Sequence, residues 1–348
     1  MSEAGGLAVE RAQQLHREAI VIDGLQIDDW GPEIFEEMRK GGLTAVNCTC
    51  CVWEGFRETI DNIASFKAWC RASDGLCQIF TVGDIQHAAQ NGQVGIILGF
   101  QNTSALEDNL SYLRIFHELG VRVIQVTYNT QNLIGAGCYE TTDSGLTDFG
   151  REALAEMNEI GILADLSHVG PQTSHDVITH STKPVVYSHV APAALKPHPR
   201  TKSDEELRFI ADHGGLAGAC LLPAFMAAGN DATVEDYVDL IGHMVSTMGE
   251  DHVAIGTDFT QGHGKTFFEW LLRDKGYARM VTQQSLKELM EPVLPRGVSE
   301  IAELGNVTEA MLRRGWPEPR IRKILGENWL RIFDEVWEGS DDGRHGAH

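Results

Sequence analysis

Eight short apolar runs that alternate with stretches of helical character constrain this chain more than any other property. The runs are residues 19–27, 43–50, 94–100, 121–128, 162–168, 184–189, 216–222 and 253–259. Between them lie helical segments at residues 32–39, 59–73, 107–119, 149–160, 204–213 and 234–248, with apolar residues at helical spacing. The polar segment 169–183 also has the length of a helix. A shorter apolar stretch at residues 77–82 is left out of the count of eight. Strands that alternate with helices imply a parallel sheet, and eight such units fit a closed barrel. The expected fold is therefore a (β/α)8 TIM-type barrel. A doubly wound open sheet is the weaker alternative, because no glycine-rich phosphate fingerprint follows the first strand. Ser203 with Glu206 three residues on predicts a capped helix start. Without a linker or a repeat, the expectation is one barrel domain over residues 1–338, with the helices of residues 299–337 packed on it. Residues 339–348 read as a disordered, glycine-rich tail.

In a barrel of this kind, chemistry gathers at the carboxyl ends of the strands. Read in order, those ends present Leu25 and Ile27, then Gln101, Tyr128, His168, His189 and Asp258. Asp28 alternates away from Leu25 and Ile27 and is expected to turn outward. Two histidines on neighbouring strands with a carboxylate two strands on suit a divalent metal. Asp258 would complete its shell, or else move a proton between water and a leaving group. A lone strand-end histidine is more often a hydrogen-bonded structural residue, so the pair carries the argument. His263, in Gln261-Gly262-His263-Gly264, is a further ligand, a substrate contact, or simply a loop residue near the mouth.

Composition narrows the partners. The chain of 348 residues carries a formal charge of −22, which disfavours nucleic acid and anionic membranes. No apolar stretch is long enough to span a bilayer. The start of the chain lacks the basic and apolar regions of a signal peptide. Seven cysteines, an odd count with Cys48, Cys50 and Cys51 inside an apolar run, read as reduced and mostly buried thiols of a cytoplasmic protein.

Several motifs together resemble the membrane (renal) dipeptidase family, peptidase family M19. They are Val21-Ile22-Asp23-Gly24, Gly150-Arg151 with Glu156-Met157-Asn158-Glu159-Ile160-Gly161, Asp165-Leu166-Ser167-His168-Val169, Pro184-Val185-Val186-Tyr187-Ser188-His189, Gly256-Thr257-Asp258-Phe259 and Gly326-Glu327-Asn328-Trp329-Leu330-Arg331-Ile332-Phe333. The resemblance implies a barrel of the metal-dependent hydrolase kind that cleaves dipeptides with two bridged zinc ions, often as a homodimer. It implies that His168 and His189 hold the second metal, that Asp258 is the acid/base group, and that Arg200 holds a substrate carboxylate. A guanidinium fork suits that role.

The departures from the family pattern are concentrated in one half of the site. Leu25 and Ile27 stand where the family has the histidine and aspartate of the first metal. Gln101 matches the bridging glutamate, and Tyr128 matches a substrate-contacting histidine. Three readings follow. One is a dipeptidase-like hydrolase of small amide-bearing carboxylates, with one zinc or other divalent ion at most. In it Gln101, Tyr128, Arg200 and His263 contact the substrate. The second is an inactive relative that binds a small molecule. The third is a different small-molecule enzyme built on Asp258.

Overall fold

The structure, a computed structural model, describes residues 3–272 and 293–337. Nine parallel strands form the sheet: β1 (Ile22–Gln26), β2 (Ala45–Cys51), β3 (Leu76–Gln78), β4 (Val94–Phe100), β5 (Val121–Gln125), β6 (Leu163–Asp165), β7 (Val186–Val190), β8 (Leu216–Ala219) and β9 (Val253–Ile255). Their order is β1-β2-β4-β5-β6-β7-β8-β9, and β3 pairs only with β4. The ring closes where the chain beyond β9 meets the end of β1. Asp258 N–H donates to Leu25 O at 3.0 Å and Ile27 N–H to Phe259 O at 2.9 Å. The fold is thus the expected eight-stranded barrel, and the short ninth strand lies outside the ring. The predicted tail, residues 339–348, and residue 338 lie outside the described residues.

Local chemistry explains where the elements begin and end. The helix Asp204–Asp212 starts with the expected reciprocal cap, Glu206 N–H to Ser203 Oγ and Ser203 N–H to Glu206 Oε2. At the start of the helix Val234–Met248, Asp236 Oδ2 accepts both the N–H and the O–H of Thr233. Several strands are shorter than their apolar runs. β6 stops at Asp165 because its carboxylate accepts the backbone N–H of Ser167 two residues on at 3.0 Å, curling the chain off the sheet.

The barrel interior is built in layers. Its floor takes one residue from every ring strand: Ile22, Ala45, Ile97, Val123, Leu163, Val186, Leu216 and Ala254. Trp329, from the last described helix Asn328–Trp337, plugs this floor and donates from its indole N–H to Ile255 O at 2.9 Å. Two residues further along the strands the interior turns polar and small. Here β7 carries a register irregularity between Tyr187 and Val190, and the Ser188 carbonyl presses against three other strands. A Cβ added at Gly24, Gly218 or Gly256 would stand 2.7, 2.0 or 1.8 Å from that oxygen. Only glycine fits at these positions. The bulge they accommodate sets the position of His189.

Candidate active site

His168 and His189 meet. Their Nε2 atoms are 2.9 Å apart, and both residues are buried. Each ring is held from behind. His168 Nδ1 lies 2.7 Å from Asn129 Oδ1, and the ring stacks on Tyr128 at a centroid distance of 4.1 Å. His189 Nδ1 lies 2.7 Å from Ser188 Oγ, which itself lies 2.5 Å from Asp165 Oδ2. The other oxygen of Asp165 accepts from Ser167 N–H, Ser167 O–H and Ser188 N–H. Burial, with Arg200 adding to it, pushes both imidazoles well below the usual histidine range, and both are neutral.

These contacts determine where the protons lie. The Asn129 carbonyl oxygen only accepts, so His168 Nδ1 carries the hydrogen and Nε2 carries a lone pair. With Asp165 ionised, the Ser188 hydroxyl donates to it and accepts from His189 Nδ1–H. His189 Nε2 then also carries a lone pair, and two lone pairs face each other at 2.9 Å. That arrangement calls for one positive equivalent. A proton on Asp165 supplies it by reversing Ser188 and giving His189 an Nε2–H. A metal ion between the rings supplies it directly. Zinc–nitrogen bonds at tetrahedral angles separate two ligand nitrogens by about 3.3 Å, so small ring movements suffice.

The two imidazoles are the nitrogen donors that meet at this point. Among the described residues no group of three or more His, Cys, Asp or Glu side chains is arranged to hold a metal. Leu25 and Ile27 are buried hydrocarbon. Gln101 is neutral, and its amide nitrogen donates to Thr49 Oγ1 at 3.1 Å.

A pocket whose empty space, open solvent at its mouth included, is about 560 Å³ lies over the imidazoles. It is lined by Ile27, Gln101, Tyr128, Asn129, Tyr139, His168, Arg200, Leu222, Phe225, Asp258, Thr260, Phe268 and Leu271. His168, Arg200, Tyr128, Gln101 and Asp258 are thus brought together as the sequence suggested, with His189 directly behind His168. His263 is not among the lining residues. Its ring lies flat on Phe267 at 3.4 Å, in the loop beyond β9.

Asp258 is buried and adopts a left-handed backbone, φ 61°. Burial raises its carboxyl to about 7; Arg200 opposes the shift, and Asp23 and Asp165 add to it. Asn129 shares the left-handed conformation, φ 62°. Both depart from ordinary strand geometry at the mouth of a pocket, where such strain is typically concentrated. Arg200 is 3% exposed. Its guanidinium donates to the carbonyls of Ser167 and, at 3.4 Å, His189, and it lies over the Phe225 ring at 5.7 Å. Among the described residues it has no ion pair with a carboxylate.

Asp28 is the clearest departure from the sequence reading. It is 1% exposed instead of facing solvent. One oxygen accepts Gln261 N–H at 2.6 Å and the other has no partner among the described residues. Burial, with Asp23 and Asp258 nearby, pushes its carboxyl well up. The loop beyond β9 covers it, which alternation along β1 does not reveal. Asn129, Ser188 and Asp165 were not singled out individually from the sequence. The signals were an Asx pattern, Asp165-Leu166-Ser167, and a residue type tolerant of left-handed backbone at position 129.

A closed parallel barrel with paired imidazoles and a carboxyl at its C-terminal mouth defines the metal-dependent hydrolase class of barrels. The family model described as membrane dipeptidase, peptidase family M19, matches residues 29–283, and the chain belongs to that family. The chain is 29% identical over 267 residues to dipeptidase tcpJ of Claviceps purpurea, a match covering 76% of this chain and 56% of that protein. The chain therefore spans little more than half of that relative's length. Among solved structures, an amidohydrolase from Pseudomonas aeruginosa is 51% identical with a TM-score of 0.90, covering 94% of this chain and 99% of that one. A metallo peptidase from Rhodobacter sphaeroides, liganded with a phosphinate mimic of the dipeptide L-Ala-D-Ala, shares the fold. It is 21% identical with a TM-score of 0.76, over 92% of this chain and 100% of that one. No helix among the described residues is long and apolar enough to cross a membrane. All seven cysteines are free thiols.

Proposed function

We propose that this protein is a hydrolase of small amide-bearing carboxylates that works with one divalent ion or none. The observation that carries the reading is Arg200, a guanidinium buried in the pocket wall with no carboxylate ion pair among the described residues. A buried cation without a counterion is costly, and a substrate carboxylate offsets that cost. Arg200 anchors the substrate beside the imidazole pair. Asp258 shares the pocket and titrates near neutrality, so it can take a proton from water and return it to the leaving nitrogen. His168 and His189 would hold the ion, with Asn129 and Ser188 fixing their tautomers. When bound, such an ion polarises a carbonyl and acidifies water. Zinc or a similar metal suits imidazole nitrogen.

The family resemblance adds a homodimer to this reading, and a cytoplasmic location is part of the proposal. The test is metal content per purified chain after supplementation, coupled to a hydrolysis screen of dipeptides and N-acyl amino acids. Turnover that vanishes in Asp258→Ala supports the reading. A second reading, an inactive relative that binds a small carboxylate, is favoured by the hydrocarbon at Leu25 and Ile27. Binding without turnover under every metal would establish it.

A further inference from the structure

The pocket lining has two chemically different parts. Arg200 lies over the Phe225 ring in one, and Ile27, Tyr128 and Leu271 pack as a separate apolar cluster in the other. Asp258 is the one carboxyl among the described lining residues. If Arg200 binds a carboxylate and Asp258 serves the scissile amide, the remaining end receives the acyl half of the substrate. That end presents hydrocarbon, aromatic rings and a neutral amide. Gln101 already donates its amide N–H to Thr49 Oγ1, and apart from Asp258 the polar groups of the described lining on this side are neutral. Neutral acceptors do not offset the burial of an ammonium group. An ammonium that turned to Asp258 instead would tie up the oxygen needed for proton transfer.

We infer that the preferred substrates are N-acyl amino acids with an apolar or aromatic acyl group, and not dipeptides with a free amino terminus. This rests on the hydrolase reading and on Arg200 as the carboxylate anchor. It assigns selectivity to the wall formed by Ile27, Gln101 and Leu271, which rejects charge. The reaction is ordinary amide hydrolysis: water adds its oxygen to the acyl carbon, the carbon–nitrogen bond breaks, and the nitrogen leaves protonated. The products are a free carboxylic acid and an amino acid.

The experiment compares two compounds that differ only in the ammonium: L-Phe-Gly and 3-phenylpropanoylglycine. Both are offered to the full chain supplemented with zinc, cobalt or manganese, with calorimetric binding measured alongside. The expected result is a kcat/KM for 3-phenylpropanoylglycine higher by about tenfold or more. Equal or faster cleavage of Phe-Gly overturns this inference and leaves the hydrolase reading standing. If neither is cleaved but 3-phenylpropanoylglycine binds more tightly, the acyl-end assignment stands and the hydrolase reading falls. If neither is cleaved nor bound, both fall. Gln101→Glu, nearly isosteric, adds a carboxylate to the acyl end. It should shift the ratio toward Phe-Gly by about tenfold, and an unchanged ratio counts against the assignment.

Discussion

Two buried aspartates on different walls of the barrel do similar work with different outcomes. Asp165 in β6 accepts the N–H and O–H of Ser188 on the neighbouring strand, and the next residue is His189. Asp23 in β1 accepts the N–H of Thr257 at 2.8 Å and also its O–H, and the next residue is Asp258. Each aspartate clamps a hydroxyl residue and thereby sets the angle of the functional residue that follows. On the Asp165 side the line of contacts continues through Ser188 to the two imidazoles. On the Asp23 side its own strand goes on to Leu25 and Ile27, which bind nothing charged. The clamp at Asp23 survives because it joins the two ends of the ring, whatever the strand end presents. A supporting residue and the ligand beside it can therefore have separate fates.

The comparison breaks first at Asp258. Asp258→Asn should lower kcat/KM by about 10²- to 10⁴-fold, measured on the best substrate of the screen. Next come the clamps themselves. Asp165→Ala and Asp23→Ala each leave several buried donors without an acceptor. Each should cost about 3 kcal/mol or more in denaturant unfolding. If only one does, the two walls are not equivalent supports.

The third prediction concerns pH. Asp258 holds its proton to about 7 in the folded chain, whereas an unfolded aspartate releases it near 3.9. Its stabilising contribution is full below the unfolded value and is lost as pH rises to about 7. Between pH 5 and 8 that loss amounts to about 2–3 kcal/mol, and Asp258→Asn should abolish it. In the active enzyme the same ionisation gives kcat/KM an acid limb that levels off above about pH 7.

The smallest effect distinguishes the walls most sharply. Ser188→Ala should weaken zinc binding by about 10- to 100-fold in a competition titration. Thr257→Val should leave zinc affinity nearly unchanged while moving the acid limb. Equal losses of zinc affinity would show that the imidazole wall is not independently supported.

Much of this was legible in the chain. Eight apolar runs gave the ring, and the runs ending in His168 and His189 gave their meeting point, because parallel neighbours place equivalent ends side by side. Leu25, Ile27 and Gln101 could be read as a wall without metal ligands because they stand where the family pattern has its first-metal and bridging ligands. The burial of Asp28 could not, since it depends on the loop at Gln261 folding back over β1. Nor could the stacking of His263 on Phe267 four residues on, which leaves it a loop residue outside the pocket lining. The bulge at Ser188 was hidden for a different reason. Its signature is three glycines, Gly24, Gly218 and Gly256, spread over more than two hundred residues and related only through the oxygen they surround.

The plug at the barrel floor bears on how the chain is made. Trp329 lies in the last described helix, and the positions it seals include Gly24, where an added Cβ would stand 2.3 Å from the indole. A ribosome delivers β1 some three hundred residues before it delivers that indole. The ring can assemble its strands during synthesis, but its floor stays open until the helix Asn328–Trp337 emerges. A nascent chain therefore carries an unsealed apolar layer over the roughly three hundred residues that separate β1 from its plug, a stretch in which exposed hydrocarbon favours misassembly.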